Sequence, residues 1–228
     1  MNKTGDTKKA ETAVRTDKYP HSDNDWENFD VLHINRLPSA ATFMAYTTKE
    51  KAVKNDKSQS EYFQSLNGTW KFQFVPRSDQ RPMDFFEKGH DVSGWGNIKV
   101  PANWEMEGYG HPFYIGAGYG IKRNPPLIAV ENSPVGSYKR TFNVPANWKG
   151  KQIVLHFGGV ASAFYVWVNG EKVGYSQDSK TPSEFDITPY AVTGQNEIAV
   201  QVFKFSDGYY LEAVSYTHLR AHETLSDL

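Results

Sequence analysis

From Glu61 onward the chain alternates apolar and polar residues with a period of two. Trp70, Phe72 and Phe74 alternate with Lys71 and Gln73, and Tyr138, Phe142 and Val144 alternate with Lys139, Thr141 and Asn143. Ile153, Leu155 and Phe157 alternate against Val154 and His156, and Ile198, Val200 and Val202 line one face of the last clear run. This spacing puts every second side chain on one face of an extended segment, which predicts half-buried strands. Phe164-Tyr165-Val166-Trp167-Val168 is apolar on both faces and predicts a central strand covered from two sides, with a neighbouring domain as one possible cover. Asn169-Gly170 follows directly and supplies the two positive-φ residues of a type I′ turn, so residues 171–175 are expected to pair back as a hairpin. Between 62 and 212 no helical stripe of ten or more residues occurs. Many short strands joined by glycine- and proline-rich turns predict an all-β fold, a β-sandwich.

Outside that region the pattern changes. Residues 1–25 are polar, rich in Lys, Asp and Thr, and read as a flexible tail. From 26 to 46 apolar mass (Trp26, Phe29, Val31, Leu32, Ile34, Leu37, Phe43, Tyr46) recurs without a steady period, so this segment is expected to lie as an arm across another surface. Residues 47–61 are charged and predict a linker or a short solvated helix. The stretch from 94 to 134 is long, irregular and aromatic, with Trp95, Trp104, Tyr109, Phe113, Tyr114 and Tyr119 among glycines and prolines. A loop of that length is either functional or docked on something. Its aromatic faces suit sugar rings, but they suit the end of a sandwich equally well.

Composition narrows the function classes. The chain has 228 residues, 39% of them hydrophobic and 14% aromatic, too apolar for a disordered protein. Its 25 basic and 26 acidic residues nearly cancel, which argues against nucleic acid as a partner. No apolar run approaches the roughly 18 residues of a membrane span. The first residues carry no apolar signal segment, so the expected compartment is the cytoplasm, or the periplasm if a signal precedes Met1. With no cysteine, disulfides, thiol nucleophiles and thiolate metal sites are excluded.

Candidate chemistry is sparse. Gly116-Ala117-Gly118-Tyr119-Gly120 has the look of a phosphate loop, but Asn124-Pro125-Pro126 soon after cannot open the helix such a loop needs. Carboxylates lie close in sequence at Glu105 and Glu107, and at Glu184 and Asp186, which share a face if they lie on a strand. A retaining glycosidase needs two carboxyls about 5–5.5 Å apart with one pKa raised, and solvated carboxylates are the simpler reading of both pairs. Asp207 sits in the turn signature Ser206-Asp207-Gly208. His218 and His222 have the i, i+4 spacing of a helical metal pair but no third ligand nearby. Asn2 and Asn67 begin glycosylation sequons that are expected to be silent without a secretory signal. From the residues alone, three classes stay open: a carbohydrate-binding module, an accessory domain of an enzyme whose chemistry lies elsewhere, and a purely structural interaction domain.

Longer motifs carry a resemblance. Trp26-Glu27-Asn28, Ile34-Asn35-Arg36-Leu37-Pro38, Leu66-Asn67-Gly68-Thr69-Trp70-Lys71-Phe72 and the run from Val100-Pro101-Ala102-Asn103-Trp104 to Gly108-Tyr109 resemble bacterial β-galactosidases of glycoside hydrolase family 2. The likeness continues through Asn124-Pro125-Pro126, Glu131-Asn132 and Gly136-Ser137-Tyr138. It is densest from Gly174-Tyr175-Ser176-Gln177-Asp178 to Pro182-Ser183-Glu184-Phe185-Asp186, and ends at Ser206-Asp207-Gly208-Tyr209-Tyr210-Leu211-Glu212. The resemblance implies an extended arm at 26–61 followed by a jelly-roll sugar-binding domain at 62–212. In the full enzymes an immunoglobulin-like domain and a TIM barrel follow, and the barrel carries both catalytic glutamates of a retaining hydrolysis of terminal β-D-galactosides such as lactose. Magnesium and sodium assist in the parent enzyme, which commonly forms homo-oligomers. On this reading the chain itself holds no catalytic residue and no cofactor, and is expected to be inactive alone. The same sandwich occurs in β-glucuronidases.

Two departures from the family pattern matter. The loop residue that reaches the galactose in many members is an asparagine. Here Pro112-Phe113-Tyr114-Ile115-Gly116 keeps Tyr114 as a substrate-side residue but puts Gly116, with no side chain, at that position. After Glu212 the family continues with Asp-Gln-Asp and an aromatic, whereas residues 213–228 read differently and are expected to be a foreign, non-native tail. On that expectation His218 and His222 are no ligands. A further expectation is that Tyr165 and Trp167 form a docking surface for the next domain if nothing within the chain covers their strand face.

Overall fold

The computed structural model describes residues 22–41, 43–112, 121–122 and 124–212. Nine strands form in chain order: β1 (His33–Ile34), β2 (Gly68–Val75), β3 (Gly96–Val100), β4 (Val135–Val144), β5 (Val154–Phe157), β6 (Ala163–Val168), β7 (Glu171–Gln177), β8 (Ser183–Asp186) and β9 (Gly194–Phe203). Seven make one antiparallel sheet in the order β1-β7-β6-β9-β4-β2-β3, and β5 pairs with β8 as a second, smaller layer. The architecture is the all-β sandwich that the alternating pattern predicts, and it agrees with the jelly-roll expectation.

The period of two sorts the large sheet into two apolar faces. Phe72, Phe164, Val166, Ile198 and Val200 point toward the small layer, where Leu155, Phe185 and Ile187 meet them. Phe164 packs against Phe157 at a ring separation of 4.7 Å and edge-on to Phe185 at 6.0 Å. On the opposite face Val135, Tyr165, Trp167, Tyr175 and Phe203 form a second cluster together with Trp26 and Phe85.

β6 is therefore buried at every position, as its doubly apolar sequence requires. Its second cover comes from the chain itself. Phe86 stacks on Trp167 at 4.9 Å and 5°, Phe85 meets the same indole edge-on, and Trp26 meets Tyr165 edge-on. Tyr165 and Trp167 are thus not an open docking surface. The β6–β7 turn has Asn169 at φ 53° and Gly170 at φ 90°, the left-handed pair of a type I′ turn.

Among the described residues the only α-helix before the sandwich is α1 (Lys49–Lys54). Thr48 caps it by accepting a hydrogen bond from the Lys51 amide, and Asn55 ends it in the left-handed region. All its residues face solvent at least in part, as the charged sequence dictates. A last short turn, α2 (Tyr209–Glu212), follows β9.

Two of the family-like motifs dock on each other. Ile34 pairs with Tyr175 and His33 with Ser176 through β1 and β7. Asn35, at φ 55°, turns its amide onto the Val173 carbonyl at 3.0 Å, and Arg36 donates to the Ser176 hydroxyl at 3.0 Å. The Leu37 amide then reaches the Glu184 carbonyl. Gly174 makes this possible, because a Cβ there would run into the Ile34 carbonyl oxygen and the Phe185 ring. The residues densest in family likeness between Gly174 and Asp186 therefore hold the arm to the sheet. Asp178, at φ 91°, closes the next turn by accepting from the Lys180 amide and the Thr181 hydroxyl.

Candidate functional site

The long aromatic loop leaves the sandwich through a single turn of 3-10 helix, Trp104–Glu107. Trp104 is buried against Phe72 and Phe74 and donates its indole N–H to Glu105 Oε1 at 2.6 Å. The same oxygen accepts from Lys204 Nζ, and Lys204 also donates to the His111 carbonyl at 2.9 Å. Partial burial pushes the Glu105 carboxyl upward, but the hydrogen bonds from Lys204, the backbone and Trp104 outweigh it and hold it below the usual glutamate range. Glu105 is therefore an ionised strut that fixes the loop's entry, not an acid poised to donate a proton.

The loop's exit is pinned from α2. Ile121 and Ile128 pack with Phe205 and Tyr209 in a separate buried cluster. The Tyr210 hydroxyl donates to the Leu127 carbonyl at 2.8 Å and accepts from the Asn124 amide at 3.3 Å. Entry and exit are thus held by the same short stretch that follows β9. Tyr114 and Gly116, with the rest of 113–120, lie outside the described residues, as do residues 1–21, His218, His222 and the remainder of 213–228.

The carboxylate pairs do not make a catalytic set. Glu184 and Asp186 share the outer face of β8, as their spacing predicts. Glu184 bonds His156 Nδ1 at 2.9 Å, and both side chains are solvent-accessible. Asp186 accepts from Thr188 and Gln152, and those bonds hold its carboxyl below the ordinary aspartate range. Asp186 thus lacks the raised pKa that an acid catalyst of glycoside hydrolysis requires, and Glu184 is tied to His156 on an open face. Among the described residues no group of three His, Asp or Glu comes together as a metal site.

Sequence reasoning missed one unusual acid. Asp207 does perform the turn chemistry its Ser-Asp-Gly setting predicts, with Oδ1 accepting from the Gly208 amide at 2.8 Å. It is also fully buried, and Oδ2 has no hydrogen-bond partner. Burial pushes its carboxyl up to about 6, against the lowering effect of the Gly208 amide and Gln177. Nothing local in Ser206-Asp207-Gly208 announces this, because the neighbours that act on the carboxyl, Gln177 and Glu27, are distant in sequence.

A surface depression of about 350 Å³ lies over β2, β4 and the neighbouring loop, lined by Lys71, His90, Asn97, Lys139, Arg140 and Glu197 among others. Its cations are already engaged: Lys71 on the Trp95 carbonyl, Lys139 on the Glu87 carbonyl, and Arg140 on Leu66 and Asn67. Trp70, the indole along its wall, is almost wholly buried. The depression therefore offers no stacking platform for a sugar.

Comparison with known proteins adds the remaining information. Residues 63–220 match the family model described as "Glycosyl hydrolases family 2, sugar binding domain". The matched span ends inside the 213–228 segment. A β-galactosidase of Priestia megaterium is 43% identical over 216 residues, covering 93% of this chain and 20% of that protein. A β-galactosidase of Halalkalibacterium halodurans is 41% identical over 197 residues, covering 84% of this chain and 19% of the relative. The chain thus spans about a fifth of the length of these curated relatives. Among solved structures, a β-glucuronidase from Ruminococcus gnavus in complex with D-glucuronic acid is 25% identical over 61% of this chain and 21% of its own, with a TM-score of 0.45.

Proposed function

This chain belongs to glycosyl hydrolase family 2 as its sugar-binding domain, and from that premise we propose that it is the N-terminal part of a retaining β-galactosidase acting on terminal β-D-galactosides such as lactose. The observation that carries the proposal is the identity of 40% or more to β-galactosidases across most of the chain, combined with the fifth of their length that it spans. The two carboxylate pairs singled out in the sequence support it from the other side, because Glu105 is clamped by Lys204 and Glu184 and Asp186 are hydrogen-bonded on an open face.

On this reading the parent adds an immunoglobulin-like domain and a barrel, binds magnesium and sodium there, assembles as a homo-oligomer and works in the cytoplasm. Tyr114 contributes to the edge of the galactose pocket, while Gly116 supplies backbone only. The chain's own part is positional. The Glu105–Lys204 clamp and the Tyr210 bonds set where the loop at 113–120 starts and ends, and so where its side chains are presented to the substrate. The test is to express the full-length product of the source gene and follow cleavage of a chromogenic β-D-galactoside by NMR. Release of β-galactose as first product supports the proposal, whereas selective cleavage of a β-glucuronide, or of neither, contradicts it.

A further inference from the structure

Two buried carboxyl groups meet where the arm crosses the sandwich, and they are treated very differently. Glu27 is satisfied as an anion. Its Oε1 accepts from the Ile128 amide at 2.8 Å, and its Oε2 accepts from the Ser22 hydroxyl at 2.8 Å and the Asn24 side-chain amide at 2.9 Å. Asp207 accepts from its neighbour Gly208 through Oδ1 and has the Gln177 side chain close by as a second group favouring its charge, but its Oδ2 meets no hydrogen-bond partner. The two are tied through the backbone, since the Asp207 amide donates to the Trp26 carbonyl at 2.8 Å. A buried carboxylate with an unsatisfied oxygen, held next to a second negative charge, is far better tolerated neutral than ionised.

Among the described residues, few charged and titratable groups face Asp207. Glu27 faces it from the arm and raises its proton affinity, and Tyr175 on β7 faces it with a hydroxyl committed to Gln177 Oε1 at 2.8 Å. Beyond them stand Asp25, bonded to the Tyr165 hydroxyl at 2.7 Å, and Arg81, whose guanidinium lies over the Trp26 ring at 4.9 Å. His33 is the histidine within the docked arm, on β1.

We propose that Asp207 and Glu27 form a proton-gated latch between the arm and the sandwich, closed while Asp207 keeps its proton and loosened when it ionises. Opening the arm withdraws Trp26 and Glu27 from over Asp207 and lets water reach its carboxylate. The open form therefore gains population as the pH rises. The inference is independent of the family reading, because every residue in it lies in this chain.

With Asp207 titrating near 6 when covered and near an ordinary aspartate value of about 3.9 when open, the arm-opening equilibrium should rise about tenfold between roughly pH 5 and 7.5. The test uses the 228-residue chain and NMR hydrogen exchange, corrected for intrinsic rates, at the Ile128 and Asp207 amides, which donate to arm atoms. The latch predicts a tenfold loss of protection across that interval in the wild type, a flat profile in Asp207→Asn, and an unchanged loss in His33→Gln. Protection constant within twofold in the wild type, a persistent loss in Asp207→Asn, or its disappearance in His33→Gln overturns the proposal. If Asp207→Asn does not fold, two further readings decide. Glu27→Gln should move the midpoint to lower pH, and the wild-type Asp207 carboxyl carbon should titrate near 6. A titration midpoint below about 4.5 refutes the latch.

Discussion

Trp26→Ala puts a number on how firmly the arm belongs to the sandwich. The indole is 4% exposed although it lies more than forty residues before the first long strand. It stacks on Phe203 at 4.1 Å and 18°, meets Tyr165 edge-on at 6.3 Å, and has the Arg81 guanidinium 4.9 Å from its ring. Truncating a large buried aromatic to alanine costs about 3–5 kcal/mol when the site cannot collapse. Here the floor is the central sheet, which cannot move in to fill the gap. The substitution also strips the ring from over Arg81, whose guanidinium burial already disfavours its charge. Against a typical domain stability of about 5–15 kcal/mol, that is a large fraction. Urea unfolding followed by circular dichroism is the assay. With a slope of about 2–3 kcal/mol/M for a domain of this size, the midpoint should fall by about 1–2 M. Phe43→Ala, at 82% exposure on the same arm, is the control and should stay within about 0.5 kcal/mol. A Trp26→Ala loss below about 1 kcal/mol would mean that the arm is not docked as described.

Two other perturbations follow from the same geometry. Gly136→Ala places a Cβ 2.5 Å from Trp104 and 2.8 Å from Phe72, so overpacking should destabilise by about 1–3 kcal/mol or more in the same unfolding assay. A change within 0.5 kcal/mol would contradict the packing. Lys204→Met removes the cation from Glu105 and leaves its burial, so the Glu105 carboxyl carbon should titrate at higher pH than in the wild type. The sign for stability follows from the lowered wild-type value. The Glu105 clamp contributes fully above the ordinary glutamate pKa and is lost as pH falls through its depressed one, so the wild type should lose this increment in acid and Lys204→Met should not have it to lose. An unchanged Glu105 titration in the variant would refute the clamp.

The strands were legible because a half-buried sheet leaves a local mark. Trp70, Phe72 and Phe74 face one cluster because they are two apart, and Asn169-Gly170 forms its turn because few other pairs accept two positive φ angles. The cover of β6 was legible only as a requirement. The sequence 164–168 demands apolar neighbours on both faces, but nothing in it says that Phe85, Phe86 and Trp26 provide them instead of another domain. Lys139 illustrates the opposite limit. Its alternation marks it as outward-facing, yet its side chain is 5% exposed because the β2–β3 connection folds over it and offers the Glu87 carbonyl. Ser206-Asp207-Gly208 reads as a turn and is one, but the bond from the Asp207 amide to the Trp26 carbonyl, some 180 residues earlier in the chain, is encoded by no local pattern. The run from Gly174 to Asp186 is legible only as the densest family likeness, whereas in the structure its Gly174 and Ser176 serve to seat Ile34 and Arg36.

The proposed function gives this chain a positional role and leaves the chemistry to the rest of the parent. It is tested most directly by incubating the pure 228-residue chain with a chromogenic β-D-galactoside at high protein concentration and measuring release against buffer. The account predicts a rate that does not rise with protein concentration. Hydrolysis proportional to the amount of chain, retained after further purification and abolished by unfolding, would contradict it.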